Sequence, residues 1–233
     1  MPMNVDDINS VYHFKKWSGS PVPQNLFKQV WAIAEDSFPP EEREPCQAFL
    51  EPIENGRSTL YITRQEEKVV GFTKLTRLGQ SPINFMEYLA VDRKFRNRSI
   101  GSRIIAFLCK DFQGQPDAGI LLEVEPPQMA EGQERQLRER RIRFYQRHGA
   151  ARILDHDVYR MPSTIDEGCL WMHLMWLPAR AGGLPPANLS LQGLLNLLFQ
   201  EAYPGEKNHQ LLNWILGQIP NSDQPIELAF PIY

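Results

Sequence analysis

Residues 89–108 read LAVDRKFRNRSIGSRIIAFL. The apolar run that ends at Val91 is typical of a strand, and Ile104, Leu108 and Phe112 recur every fourth residue, which predicts a helix. A basic turn rich in small residues lies between them. At the start of a helix the N–H groups and the helix dipole both favour negative charge. The stretch therefore predicts an anion site, with an ordinary solvated turn as the alternative.

The composition limits the classes of function. The chain has 233 residues and a net charge of −3, from 25 Lys and Arg against 28 Asp and Glu. A net acidic chain fits bulk nucleic-acid binding poorly, so we expect no nucleic-acid partner. Three widely spaced cysteines argue against a disulfide framework. Neither a signal-peptide pattern nor an apolar run of ~20 residues is seen, so we expect a cytoplasmic protein with no membrane partner.

Hydrophobic periodicity predicts the element order β-α-α-β-β-β-α-β-α-β-β, a mixed α/β fold. The second helix is expected to begin after Pro39–Pro40, and the last two strands are expected over residues 151–159 and 169–177. We expect a main domain over residues 1–178, a linker over 179–186 and a helical extension over 187–233. The extension contains two short amphipathic helices, which must dock on the main domain, a partner or a second copy. Docking on a second copy would make the protein a homodimer, which is one of the three alternatives.

Two stretches resemble signatures of the GCN5-related N-acetyltransferase (GNAT) superfamily. The quoted stretch is similar to the acyl-CoA-binding motif Arg/Gln-x-x-Gly-x-Gly/Ala, with Arg96 first, Gly101 last and Ser99 in place of the middle glycine. RIRFYQRHGA, residues 141–150, resembles the second signature, a helix with Phe-Tyr followed by His/Leu-Gly. The resemblance covers roughly residues 9–178. It implies the GNAT fold, a central mixed, mostly antiparallel sheet flanked by helices, here with a C-terminal helical appendage.

The resemblance implies an acyl-CoA-dependent N-acyltransferase that moves an acetyl group from acetyl-CoA to a primary amine by direct attack. One alternative is transfer of a longer acyl chain to a lysine or ornithine side chain of a peptide. Another is a non-catalytic acyl-CoA-binding regulatory module with the C-terminal helices as its partner surface. Acetyl-CoA or another acyl-CoA is the co-substrate, and a small-molecule or peptide amine is the acceptor. No metal site is expected, because the histidines lack ligand spacing.

By the same resemblance, the loop holds the pyrophosphate of coenzyme A, mainly through main-chain N–H groups. An N–H group from residues 89–91 would polarise the thioester carbonyl. Arg138 and Arg141 are candidates for the 3′-phosphate, with ion pairs at i,i+4 spacing as the alternative for such arginines. The predicted acyl-CoA-binding residues are Leu89, Ala90, Val91, Arg96, Asn97, Arg98, Ser99, Ile100, Gly101, Ser102, Arg138 and Arg141.

Two residues are the predicted catalytic pair. Tyr145 matches the family tyrosine that donates a proton to the sulfur of coenzyme A, and a phenol is protonated at neutral pH. The alternative is a buried aromatic of the core. Glu87 interrupts the apolar strand NFMEYLAV and is the candidate base, acting on the amine through a water. Its alternative is a structural ion-pair partner.

Three residues are the predicted acceptor-binding set. Glu123 and Glu125 alternate along ILLEVE and share one face if the strand is regular, where they would recognise a cationic acceptor. Phe38 lies in the acidic stretch AEDSFPPEERE, where relatives build the acceptor pocket. Acids that complement a helix dipole are the alternative for that stretch. Phe38, with Tyr159, Trp171 and Trp176, could widen the pocket for a longer acyl chain, although sheet packing explains these aromatics equally well.

Overall fold

The computed structural model describes residues 11–115, 117–153 and 158–229. This part of the chain falls into two compact units. The first unit comprises residues 11–76 and 87–107, and the second comprises residues 77–86 and 108–229.

The elements follow the predicted order over most of the chain. The strands are β1 (His13–Trp17), β2 (Ser58–Gln65), β3 (Lys68–Arg77), β4 (Ile83–Val91), β5 (Gly119–Val124), β6 (Ala151–Arg152), β7 (Arg160–Pro162), β8 (Cys169–Trp171) and β9 (His173–Pro178). The helices are α1 (Gln24–Ser37), α2 (Cys46–Glu54), α3 (Ile100–Phe112), α4 (Gly132–Arg147), α5 (Leu191–Glu201) and α6 (Glu206–Gln218).

Within the described residues, the central sheet has seven strands in the order β1-β2-β3-β4-β5-β9-β6, and β7 pairs with β8 separately. The pairs β1–β2, β2–β3, β5–β9 and β6–β9 are antiparallel, whereas β4 and β5 are parallel. The predicted mixed α/β fold, with a mostly antiparallel sheet and flanking helices, is therefore confirmed.

The core of the first unit forms between α1, α2 and the sheet. The buried face of α1 includes Val30 and Ile33, which join Phe49 of α2 and Phe72 of β3 in one apolar cluster. Gly71 on β3 leaves space for close packing, because a Cβ there would lie 2.9 Å from the carbonyl oxygen of Ala90 and 3.2 Å from Ile104. This glycine lets β3 lie directly against β4 and α3.

The second unit has its own core, to which both C-terminal helices contribute. Leu194, Leu198 and Ile215 are fully buried in a cluster that also contains Phe85 and Leu121. The apolar faces of α5 and α6 therefore pack against strands β4 and β5, while the predicted boundary at residues 179–186 stays a prediction. In the part of the chain that is described, no helix is long and apolar enough to cross a membrane.

Two strand predictions differ from the structure, and one strand was missed. The stretch 169–177 is not one strand but two, since β8 pairs with β7 and β9 pairs with β5 and β6. The stretch CLWMHLMWL is apolar except for His173, and it carries no sign of that change of sheet. Of the strand predicted over 151–159, Ala151–Arg152 form β6, residues 153, 158 and 159 are not in a strand, and residues 154–157 lie outside the described part. Strand β7 was missed.

The second helix begins later than predicted. A single 3₁₀ turn, Pro40–Glu42, follows the two prolines, and α2 starts only at Cys46. Pro45 explains the delay, because a proline disfavours helical geometry in the residue before it and is well tolerated at a helix start.

Candidate active site

The basic loop joins β4 to α3 through a backbone with two left-handed residues. Asp92 accepts a hydrogen bond from the Lys94 N–H (2.8 Å) and caps a short 3₁₀ turn. Asn97 and Ser99 then have φ of 64° and 58°. Ser99 thus adopts the conformation that a glycine takes without steric strain. Although Ser99 replaces the middle glycine of the motif, its backbone has the left-handed conformation that glycine favours.

The first turn of α3 directs main-chain donors towards the loop. The first intrahelical hydrogen bond runs from the Arg103 N–H to the Ser99 carbonyl oxygen (3.0 Å). N–H groups in the first turn of a helix have no acceptor within the helix, and the dipole adds partial positive charge there. The arrangement can hold an anion through the backbone of residues 100–102.

The loop arginines make local contacts. Arg96 donates from Nε to the Val91 carbonyl oxygen (3.1 Å) and from its terminal nitrogen to Ser37 Oγ (3.2 Å), with Asp36 at 3.5 Å. The guanidinium of Arg98 lies 5.2 Å from the centre of the Phe95 ring. The contacts of Arg96 brace the loop against the ends of β4 and α1, which leaves the backbone as the better anion ligand.

Glu87 belongs to a buried charged cluster in the first unit. The Lys74 ammonium, whose side chain is 0% exposed, lies 2.7 Å from Glu87 Oε2 and 2.9 Å from Glu44 Oε2. The Thr76 hydroxyl donates to Glu87, and Ser58 lies within 2.5 Å of Thr76. Glu87 is therefore held in one orientation by an ammonium and a hydroxyl.

Burial and charge act against each other in this cluster. Burial alone would lower the pKa of Lys74, but the attraction of Glu87 and Glu44 outweighs it and raises the pKa above the ordinary lysine value. Burial raises the pKa of Glu44, and the attraction of Lys74 offsets this only in part. Burial also raises the pKa of Tyr88 strongly, with the charge of Glu44 adding to it. Tyr88 thus remains a neutral phenol, and its hydroxyl accepts from the Glu44 N–H (3.0 Å).

Phe38 lies at the edge of this cluster, where its ring packs edge-to-face on Tyr88 with 5.0 Å between ring centres.

Sequence reasoning found Glu87 and Phe38 but missed Lys74. The available signal was a lone lysine in the apolar run VVGFTKL, next to a strand that contains a lone glutamate. The ion pair agrees with the structural alternative for Glu87, and its role as a base stays a prediction.

Tyr145 lies in the second unit, near the last paired residues of β4 and β5. The paired register runs from Ile83 opposite Gly119 to Met86 opposite Leu122, and β4 itself continues to Val91. The Tyr145 hydroxyl lies 3.8 Å from Met86 Sδ. Burial raises the pKa of Tyr145 to about 12, with Arg141 acting slightly the other way. A thioether is a weak acceptor, so a ligand with a stronger one can take over this hydroxyl.

Residues predicted for two different roles form one ion-pair cluster. Arg138 lies 2.9 Å from Glu125 and 3.1 Å from Glu134, and Arg141 also pairs with Glu125. A further ion pair with i,i+4 spacing joins Glu139 and Arg143 at 3.6 Å. Binding of a 3′-phosphate by Arg138 and Arg141 stays a prediction, and so does binding of an acceptor by Glu125. Either ligand would have to compete with these ion pairs.

Glu123 and Glu125 have separate partners. Strand β5 ends at Val124, so its two-residue period does not extend to Glu125. Glu123 instead accepts hydrogen bonds from the hydroxyls of Tyr159 and Tyr203, the second at 2.6 Å. Tyr203 was missed, because nothing in the sequence links two residues 80 positions apart.

The remaining aromatic candidates divide between core and surface. Trp176 and Tyr159 are buried in the core of the second unit, as the packing interpretation predicts, whereas Trp171 is 42% exposed and lies over Arg160. Within the described residues, no group of three or more His, Cys, Asp or Glu side chains could hold a metal ion.

Comparison with known proteins agrees with these features. The family model of GNAT acetyltransferases matches residues 27–150, which include Glu87, the basic loop and Tyr145. No curated protein matches the sequence.

Three solved structures illustrate the similarity of fold. A GNAT-family protein from Bacteroides thetaiotaomicron is 26% identical, with a TM-score of 0.65 over 83% of this chain and 99% of that one. The ribosomal-protein-S18-alanine N-acetyltransferase of Escherichia coli is 17% identical, with a TM-score of 0.51 over 73% and 97%. Arabidopsis thaliana NAA60 in complex with acetyl-CoA is 17% identical, with a TM-score of 0.52 over 72% and 98%.

Proposed function

This chain belongs to the GNAT family of acetyltransferases and is an acyl-CoA-dependent N-acyltransferase, and we propose that it transfers an acetyl group from acetyl-CoA to a primary amine by direct attack. The observation that carries the proposal is the family match over residues 27–150, because it spans both the loop and the Tyr145 helix. Acyl-CoA supplies the activated acyl group as a thioester, and the protein binds it, orients it and moves protons.

The loop at the start of α3 is the proposed pyrophosphate site. The left-handed Ser99 and the first-turn N–H groups form a backbone that favours an anion, and Arg96 holds that backbone in place. Main-chain N–H groups of residues 89–91, on the part of β4 beyond Met86, are the proposed donors to the thioester carbonyl.

Tyr145 is the proposed catalytic residue at the sulfur of coenzyme A. A phenol whose pKa is about 12 stays protonated throughout the working pH range. An ordinary thiol, with a pKa of ~8.5, is a stronger acid than this phenol. Tyr145 therefore acts chiefly by donating a hydrogen bond to the departing sulfur, and it remains a donor at every pH below about 12.

The acceptor must lose a proton, since a primary amine with a pKa of ~10.4 is mostly charged at pH 7. Glu87 is the proposed base, acting through a water, in an orientation fixed by Lys74 and Thr76. Glu123, with Phe38 and Glu125, is proposed to bind the acceptor as a cationic primary amine.

The proposal is tested by thiol release from a ladder of acyl-CoAs of increasing chain length against a panel of amines and lysine- or ornithine-containing peptides. We expect the highest kcat/KM with acetyl-CoA and a primary amine. Preference for a long acyl chain on a peptide would replace acetyl transfer by fatty-acyl transfer. Acyl-CoA binding without thiol release from any pair would instead identify a non-catalytic module.

A further inference from the structure

Tyr203, in the C-terminal extension, hydrogen-bonds to Glu123 of strand β5. Tyr203 lies between α5, which ends at Glu201, and α6, which begins at Glu206. Its hydroxyl donates to Glu123 Oε2 at 2.6 Å. Tyr203 lies outside residues 27–150, so it is an addition to the part of the chain that matches the family.

The ring of Tyr203 is fixed by the core of the second unit. It packs at steep angles on Phe85 and Phe199, with 5.9 Å and 5.5 Å between ring centres. Phe199 is itself fully buried, and the Asn208 amide donates to the Tyr203 carbonyl oxygen (3.1 Å). Ring and backbone are both anchored, so the hydroxyl is presented to Glu123 from a defined position.

Glu123 is bound at both of its oxygens. Tyr159 donates to Oε1 and Tyr203 to Oε2. Burial raises the pKa of Tyr159 well above 10, and the charge of Glu123 adds to this, so Tyr159 stays a donor. A carboxylate oxygen can accept more than one hydrogen bond, so a carboxylate bound in this way can also accept one from an ammonium group.

We infer that Tyr203 is a positioning residue for acceptor binding, through which the C-terminal extension fixes the Glu123 carboxylate for the ammonium group of a cationic primary amine. The inference rests on the proposed function, in which Glu123 binds the acceptor. Without the Tyr203 hydroxyl, Glu123 keeps its bond to Tyr159 but loses the contact at Oε2 that helps to set its rotation. Acceptor affinity falls, whereas the acyl-CoA site does not change.

The test is steady-state kinetics of the full chain with acetyl-CoA and the best amine. Tyr203→Phe keeps the ring and removes only the hydroxyl. It is expected to raise the amine KM by roughly 10-fold to 100-fold, because the misoriented Glu123 carboxylate loses its hydrogen bond to the charged ammonium. The KM for acetyl-CoA stays unchanged. Lys207→Ala is the matched control, since Lys207 pairs with Glu167 at the surface of the same extension. It is expected to leave both constants unchanged.

A double-mutant cycle shows whether Tyr203 acts through Glu123. If it does, Tyr203→Phe adds nothing to the amine KM of Glu123→Gln, so the effects of the two substitutions are not additive. Additive effects, an unchanged amine KM in Tyr203→Phe, or an equal change in Lys207→Ala each overturn the inference. Wild-type protein that binds acyl-CoA but acylates no amine overturns the proposed function and this inference with it. An active wild type with an unaffected Tyr203→Phe variant overturns the inference alone.

Discussion

Replacement of Lys74 by methionine tests the buried charged cluster. The substitution keeps the length and apolar stem of the side chain but removes the ammonium between Glu87 and Glu44, at 2.7 and 2.9 Å. The side chains of these carboxylates are only 13% and 29% exposed, so water cannot fully replace the lost partner. Two like charges would then be left close together in a poorly solvated site.

The expected loss of stability is large. Removing one partner of a buried ion pair costs about 3–5 kcal/mol, because the other charge is left uncompensated. For a chain of this size, such a loss lowers Tm by about 6–20 °C. Adding Glu87→Gln to Lys74→Met should recover part of the loss, since one of the two stranded charges is then removed.

The pH dependence has a definite sign. In the wild type the pKa of Lys74 is raised on folding, so its contribution is fully present below the unfolded lysine pKa of ~10.4 and is lost as pH rises through the folded value. In Lys74→Met the carboxylates lack their cation, and protonation relieves their repulsion. The deficit relative to the wild type should therefore shrink as pH falls from 7 towards 5.

The assay is urea unfolding at pH 7 and pH 5, with Lys68→Met as the control. Lys68 is an exposed lysine on the same strand, and its replacement should change stability by no more than about 0.5 kcal/mol. A Lys74→Met deficit below about 1 kcal/mol at pH 7, or one that does not depend on pH, would refute the reasoning about this cluster.

Three further predictions concern the loop, the extension and the base. Gly101→Pro should abolish acyl-CoA binding in calorimetry, because it removes a main-chain N–H and fixes φ, whereas Arg96→Ala should weaken binding less. Unchanged affinity in a folded Gly101→Pro variant would show that the loop is not part of the acyl-CoA site. Truncation after Pro186 should expose apolar surface and cause aggregation or loss of self-association in light scattering; equal solubility, stability and mass contradict this. Glu87→Gln should lower turnover most at neutral pH, and the loss of turnover should shrink towards pH ~10, because the amine deprotonates unaided there. A loss of turnover that does not depend on pH argues against Glu87 as the base.

The elements that could be predicted are those whose pattern is local and long. Helices α1 and α3 and the hairpin of β2 and β3 each show their period over enough residues to be recognised, and α4 is recognisable from its long run of Arg and Glu. The late strands are two to six residues long, and only Met172 separates β8 from β9. Their pairing depends on neighbours distant in sequence, which no local pattern contains.

The site could be predicted only where a residue stands out within its own element. Glu87 interrupts an apolar strand, and Tyr145 lies in a recognisable signature. The partners Lys74 and Tyr203 depend on tertiary packing. A pairing of Lys74 with Glu87 was open to prediction, because two opposite charges in adjacent buried strands need each other. The contact from Tyr203 to Glu123 was not, since it requires the packing of α5 and α6 on β5.

The most direct test of the central claim compares the wild type with Tyr145→Phe, using acetyl-CoA and a verified primary amine. Released thiol and N-acetylated amine are measured together, and acyl-CoA affinity is determined separately. Direct transfer yields equal amounts of thiol and amide in the wild type. Tyr145→Phe should show unchanged acyl-CoA affinity and a rate lower by ~100-fold to ~1,000-fold, the cost of removing one preorganised donor, with a deficit constant across neutral and alkaline pH. Wild-type turnover in Tyr145→Phe, or thiol release without amide product in the wild type, would contradict direct transfer assisted by Tyr145.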